Sequence, residues 1–143
     1  MRHYVITTAL LVAFSSPCVF AKSDYSPAYS TCTSNSGGNT SSLSDCGHAE
    51  LVKQNARLNK AYKSAMAVLP AEKKRNLQEA QALWVKFREA DCGMYYSLTG
   101  GTMDLLEGVG CELSMTLERT DSLEWFAQNG AEEVEVEGEQ DAW

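Results

Sequence analysis

Residues 51–70 read LVKQNARLNKAYKSAMAVLP, and the way this stretch repeats decides the fold. Leu51, Leu58, Tyr62, Ala65 and Leu69 recur at steps of seven, four, three and four, which is one face of an α-helix. Lys53, Arg57, Lys60 and Lys63 fall on the other faces. Pro70 stops the run, because proline lacks an amide hydrogen and its ring clashes with the preceding turn. Traced backwards, the same helix is expected to begin near Leu43 to Asp45.

Working forwards, Pro70 also suits the first position of a second helix, and Glu72 lies where the helix dipole favours an acid. Leu77, Gln81, Trp84, Arg88, Cys92 and Tyr95 follow at three- and four-residue steps, ahead of Gly100-Gly101. A third helix is expected from about Met103 to Gln128, with a possible break at Gly108 to Gly110 and a stop at Asn129-Gly130. Its apolar line is Leu106, Val109, Leu113 and Leu117, continued by Leu123, Trp125 and Phe126. No strand-like alternation of useful length occurs. The expected fold is all-α, an antiparallel bundle of about three helices over residues 43–129, with two disulfides.

The flanks differ in character. Residues 22–42 are rich in Ser, Thr, Asn and Gly and are expected to be irregular, tied down through Cys32. Asn39-Thr40-Ser41 has the form of a glycosylation sequon, a short motif that arises often by chance. Residues 130–143 carry six acidic side chains and are expected to be a solvated, disordered tail; attraction of a basic partner is the sharper alternative. At the front, Met1-Arg2-His3 is a short basic region and Tyr4 to Phe14 an uncharged, largely apolar run of 11 residues. Val19-Phe20-Ala21 then supplies small residues at the −3 and −1 positions of a cleavage site. This is the three-part pattern of a signal peptide over residues 1–21. The run is too short to span a bilayer, which needs about 20 residues. Pro17 also disfavours a lipid attachment at Cys18. A periplasmic or secreted location is expected, without stable membrane insertion.

Removing 21 of 143 residues leaves 122, enough for one domain with a core, and 11 basic against 19 acidic side chains. That balance disfavours nucleic acid and anionic membranes and suits a basic protein partner. Cys18 leaves with the signal, so Cys32, Cys46, Cys92 and Cys111 remain, an even number that reads as two disulfides. Three connectivities are open; Cys32–Cys46 and Cys92–Cys111 are favoured because each closes a short loop. There is no paired metal-ligand spacing and one histidine, His48, in the mature chain, so no metal or cofactor is expected.

Polar groups interrupt the apolar stripes. Gln81 and Arg88 flank Trp84, Asn59 sits beside Leu58, and Thr116 and Arg119 lie along the third helix. Burying them costs several kcal/mol unless partners satisfy them. A network joining Asn59, Gln81, Arg88 and Arg119, with Glu89 or Asp91 as acidic partners, is therefore expected. Its first role is to fix helix register; lining a binding site is the alternative.

The spacing Leu58-Asn59-x-x-Tyr62, Ala80-Gln81-x-x-Trp84-x-x-Phe87-Arg88-x-x-x-Cys92, Gly100-Gly101-Thr102 and Cys111-x-x-x-x-Thr116-x-x-Arg119-x-x-x-Leu123 resembles the LprI-type lysozyme-inhibitor domain family. The resemblance runs from about Cys32 to Phe126. It implies a helical fold, an envelope location and, for the member that gives the family its name, inhibition of lysozyme. Thr102 stands where serine is common in the family, and the long acidic tail is a further departure.

Catalysis is disfavoured. The lone His48 lies two residues from Cys46, which is assigned to a disulfide, so no thiolate–histidine pair is available. Acidic pairs such as Glu89/Asp91 or Asp104/Glu107 arise by chance in so acidic a chain. The expectation is a non-enzyme that binds a basic lysozyme or another cell-wall hydrolase. The alternative is an immunity or envelope-interaction protein with a different target. The candidate binding element is the loop Thr99, Gly100, Gly101, Thr102 and Asp104, inside the span closed by Cys92 and Cys111; a plain inter-helix turn is the competing reading.

Overall fold

The computed structural model describes residues 25–131; the proposed signal peptide and residues 132–143 of the acidic tail lie outside the described part. Among these residues four helices, not three, make up the bundle: α1 (Pro27–Asn35), α2 (Thr40–Val68), α3 (Ala71–Tyr95) and α4 (Asp104–Asn129). The additional helix corrects the expectation of an irregular segment over 22–42. Its start is local chemistry, since Ser26 Oγ accepts from the Tyr29 amide and Pro27 occupies the first turn. It buries no residue of its own. Instead it is fastened to α2 by the Cys32–Cys46 disulfide and by Ser26, whose amide donates to Glu50 Oε1 at 2.8 Å.

Gly37 and Gly38, both at positive φ, reverse the chain into α2. That helix starts at Thr40, earlier than expected, because Asn39 caps it by accepting from the Ser42 amide at 3.1 Å. Pro70 ends it as expected and caps α3. The third sequence-predicted helix, α4, runs unbroken through Gly108–Gly110. Gly108 is there for close approach: a Cβ on it would sit 2.6 Å from the Tyr96 ring.

Contacts fix the directions. Cys92 meets Cys111 and Arg88 meets Thr116, so α3 and α4 run antiparallel. Val109 lies against Gly47 and Leu69 against Gly130, so α2 and α4 run parallel, side by side. Those two helices carry the core. Leu58, Ala61, Ala65, Leu69, Leu77 and Leu123 form its main cluster, with Tyr62, Met66, Trp84 and Phe126 packed on it. Leu113 and Leu123 are fully buried, each contributing about 1.5–3 kcal/mol by area. Towards the other end, Gly47 lets α4 approach until a Cβ there would meet both Val109 γ-carbons at 2.9 Å.

By contrast α3 is a loosely seated helix. Only Leu77 and Cys92 on it are buried, and Leu83, Phe87 and Met94 are each about 60% exposed. Tyr95, placed on the inward stripe by sequence, is exposed, and its neighbour Tyr96 turns in to cover Gly108. Phe126 joins the core while Trp125 stays half exposed.

Candidate functional site

The turn from α3 to α4 is built around one carboxylate. Asp104, at the first position of α4, is 4% exposed. Its Oδ2 accepts the Thr99 amide at 2.9 Å and the Gly100 amide at 2.8 Å, and its Oδ1 accepts the Thr99 hydroxyl at 2.7 Å. The Gly101 amide donates to Thr99 Oγ1 at 3.1 Å. The Thr99 hydroxyl and amide, with help from Gly100, hold the Asp104 carboxyl below its ordinary value against the opposing effect of burial. Gly100 supplies a φ of 74°, a left-handed conformation that other residues resist. Two turns into α4, Cys111 ties the loop back to Cys92, with the two Cα atoms 5.5 Å apart. Thr99, Gly100, Gly101, Thr102 and Met103 all face solvent, as does Leu98. Of the five loop residues singled out in the sequence, four are therefore exposed, and Asp104 is the internal post that shapes them.

Beneath the loop, polar side chains bridge the helices. Arg88 Nη1 donates to Asn55 Oδ1 on α2 at 3.0 Å and to Thr116 Oγ1 on α4 at 2.9 Å. Thr116 in turn donates its hydroxyl to the Glu112 carbonyl. The guanidinium also lies over Trp84, 4.9 Å from the ring centroid. Arg119 Nε donates to Gln81 Oε1 at 2.8 Å, and burial pulls its guanidinium below the ordinary arginine value. Arg88 Nε and Arg119 Nη2 are buried without a partner.

The expected network thus exists for Gln81, Arg88 and Arg119, but as two separate bridges and with two corrections. Asn59 is exposed and Asn55 takes its place. Neither Glu89 nor Asp91 pairs with either arginine; all three partners, Asn55, Thr116 and Gln81, are neutral. Among the remaining motif residues, Leu58 is buried, Tyr62 and Trp84 pack on the core, Thr116 is fully buried, and Phe87 points outward. The period 51, 55, 58, 62 would have found Asn55, since it keeps the four-three-four spacing that Asn59 breaks.

Two further fastenings were not foreseen. Arg57 forms a fork with Glu124, Nε to Oε1 at 3.0 Å and Nη2 to Oε2 at 2.7 Å, and reaches Asp121 at 3.5 Å. Glu50, buried in α2, receives the Ser26 amide and hydroxyl and the Gln54 amide. Burial raises its pKa, yet these bonds and Lys53 outweigh burial and leave it lowered. Asp91 stands beside Cys92 and Cys111, three potential metal donors within 4.8 Å, but both sulfurs are committed to a disulfide. His48 is exposed.

Charge is unevenly spread. The loop end carries Glu89, Asp91, Asp104, Glu107 and Glu112, whereas Lys60, Lys63, Lys73, Lys74 and Arg75 gather at the other end. None of these five cations has an ion-pair partner among the described residues.

Among the described residues, helices held by two disulfides and side-chain bridges, none of them long and apolar enough to cross a membrane, define a small disulfide-stapled helical bundle, and its disulfides fit an exported protein. The chain belongs to the family described as "Lysozyme inhibitor LprI", whose model matches residues 32–123. This is an inhibitor-type family, not a known enzyme family. No curated protein and no solved structure matches the chain.

Proposed function

We propose that the mature chain, residues 22–143, acts outside the cytoplasm as a non-enzymatic inhibitor of a lysozyme-type, peptidoglycan-degrading enzyme. The inserted element is the Thr99–Asp104 loop. The observation that carries this reading is the loop's preorganisation. Three donors on one buried carboxylate and a nearby disulfide fix an exposed tip, so little ordering entropy remains to be lost on binding.

The tip itself is neutral. Thr99, Gly100, Gly101 and Thr102 carry no charge, and the charge of Asp104 is taken up internally, so the tip can enter a carboxylate-lined glycosidase cleft without like-charge repulsion. The surrounding acids Glu89, Asp91, Glu107 and Glu112 would steer this end towards a basic enzyme and raise the on-rate.

The test is a peptidoglycan-lysis assay with a basic lysozyme and oxidised mature protein, at low and moderate salt. Stoichiometric, salt-sensitive inhibition is expected, and Thr102→Trp, at an exposed position with no hydrogen bond to lose, should abolish it without changing the circular dichroism. Undiminished inhibition by that variant would refute the loop assignment.

A second reading, an immunity or envelope-interaction protein with another target, is favoured by one observation. Leu83, Phe87 and Met94 leave an apolar stripe uncovered along α3. Under that reading Phe87→Glu abolishes target binding and Thr102→Trp does not.

A further inference from the structure

A groove of about 390 Å³ runs between α2 and the last turns of α4, lined by Arg57, Lys60, Ala61, Ser64, Glu124 and Ala127 among others. Ala61 and Ala127 give it small apolar side chains, and Arg57 and Glu124 neutralise one another. The net charge left in it is Lys60, with Lys63 on the next positions of the same helix. At the same end, Lys73, Lys74 and Arg75 open α3, and Leu69 beneath Gly130 brings the α2–α3 turn against the exit of α4.

The chain that leaves at that exit, residues 132–143, reads Glu-Glu-Val-Glu-Val-Glu-Gly-Glu-Gln-Asp-Ala-Trp. It carries six acids and no base, whereas residues 25–131 hold twelve acids against ten bases, so the negative charge of the mature protein sits mainly in this segment. We propose that the segment Glu132–Trp143 seats on its own bundle, along the α2–α4 groove, with its carboxylates on Lys60 and the neighbouring unpaired lysines.

Three observations converge on this occupant. First, charge is complementary: five cations that have no ion-pair partner among the described residues (Lys60, Lys63, Lys73, Lys74 and Arg75) lie towards the end where the acids emerge. Second, reach is ample. Twelve residues extend at most about 40 Å, while Arg57 to Ser64 spans about 10 Å of helix. Third, the tether places the acids beside the groove at an effective concentration on the order of millimolar, which lets weak pairs fill it.

The test uses the whole oxidised mature chain labelled with ¹⁵N. In wild type, raising salt to about 0.5 M, where the Debye length falls to a few Å, should shift the amide signals of Lys60, Ala61 and Ser64 together with those of Val134–Glu137. Lys60→Glu, an exposed substitution on an intact helix, should remove the salt response from the tail signals. So should replacing the six tail acids with Gln or Asn, which returns the groove signals to their high-salt positions. Tail signals indifferent to Lys60→Glu would overturn the proposal. So would a response that grows with protein concentration, which would place the tail on a second copy, or one confined to residues 73–75.

Discussion

Removing the Arg88 side chain is the perturbation that best separates a structural from a recognition role for the family motif. Arg88 touches three helices' worth of partners through one nitrogen and one ring: Asn55, Thr116 and Trp84. Hydrogen bonds to a charged group contribute at least about 1.5 kcal/mol each, and a partly buried cation–π contact about 1 kcal/mol. Loss of the unpartnered, buried Nε returns about 1 kcal/mol. Thr116 is not stranded by the change, because its hydroxyl still donates to the Glu112 carbonyl. Arg88→Ala should therefore destabilise by about 3 kcal/mol, a fall in melting temperature on the order of 10 °C for a domain this size. Urea denaturation followed by far-UV circular dichroism, with both disulfides oxidised, measures it. A double-mutant cycle with Asn55→Ala should return a coupling of about 1.5 kcal/mol. A loss under about 1 kcal/mol, or no coupling, would refute the reasoning that these bridges hold the helices in register.

Three other outcomes follow from the same geometry. Gly47→Ala puts a methyl 2.9 Å from both Val109 γ-carbons and should cost about 1–3 kcal/mol, largely recovered in the Gly47→Ala/Val109→Ala double variant by thermal melting. Replacing Cys92 and Cys111 with alanine removes a 19-residue cross-link and should cost about 3 kcal/mol in chemical denaturation, with α3 the first helix to exchange its amides. Asp104 has its pKa lowered in the folded state, so the loop order it supplies is complete above the ordinary aspartate range and lost as pH falls through the lowered value. Hydrogen exchange at Thr99 and Gly100, corrected for intrinsic rate, should stay protected at neutral pH and open only in acid, whereas an Asp104→Ala loop should be open throughout.

What was legible in the sequence follows the range of the forces. Residues 51–70 announced their helix because period and terminator are both local, and the four cysteines paired as loop length suggested. The helix at Pro27–Asn35 was hidden because it buries nothing: Ser26-Pro27 is a local start signal, but the fastening to Glu50 lies 24 residues away. Asn55 and Asn59 differ by one helical turn, and adjacency to Leu58 in the chain does not put Asn59 on the inward face, whereas Asn55 meets Arg88. The glycines at 108–110 suggested a break because a sequence does not display the Tyr96 ring that needs the space. Among the loop residues, chemistry alone could not say that Asp104 faces inward to its neighbours while Thr102 faces out.

The light seating of α3 has an evolutionary consequence. Leu77, Cys92, Trp84 and the two arginine bridges keep that helix in place, while its outer face is exposed at Leu83, Phe87 and Met94. Positions 83 and 94, which lie outside the family motif, can therefore vary at little cost in stability. A lineage built on this scaffold can explore new targets there by single substitutions, leaving the loop end to whatever role it already holds.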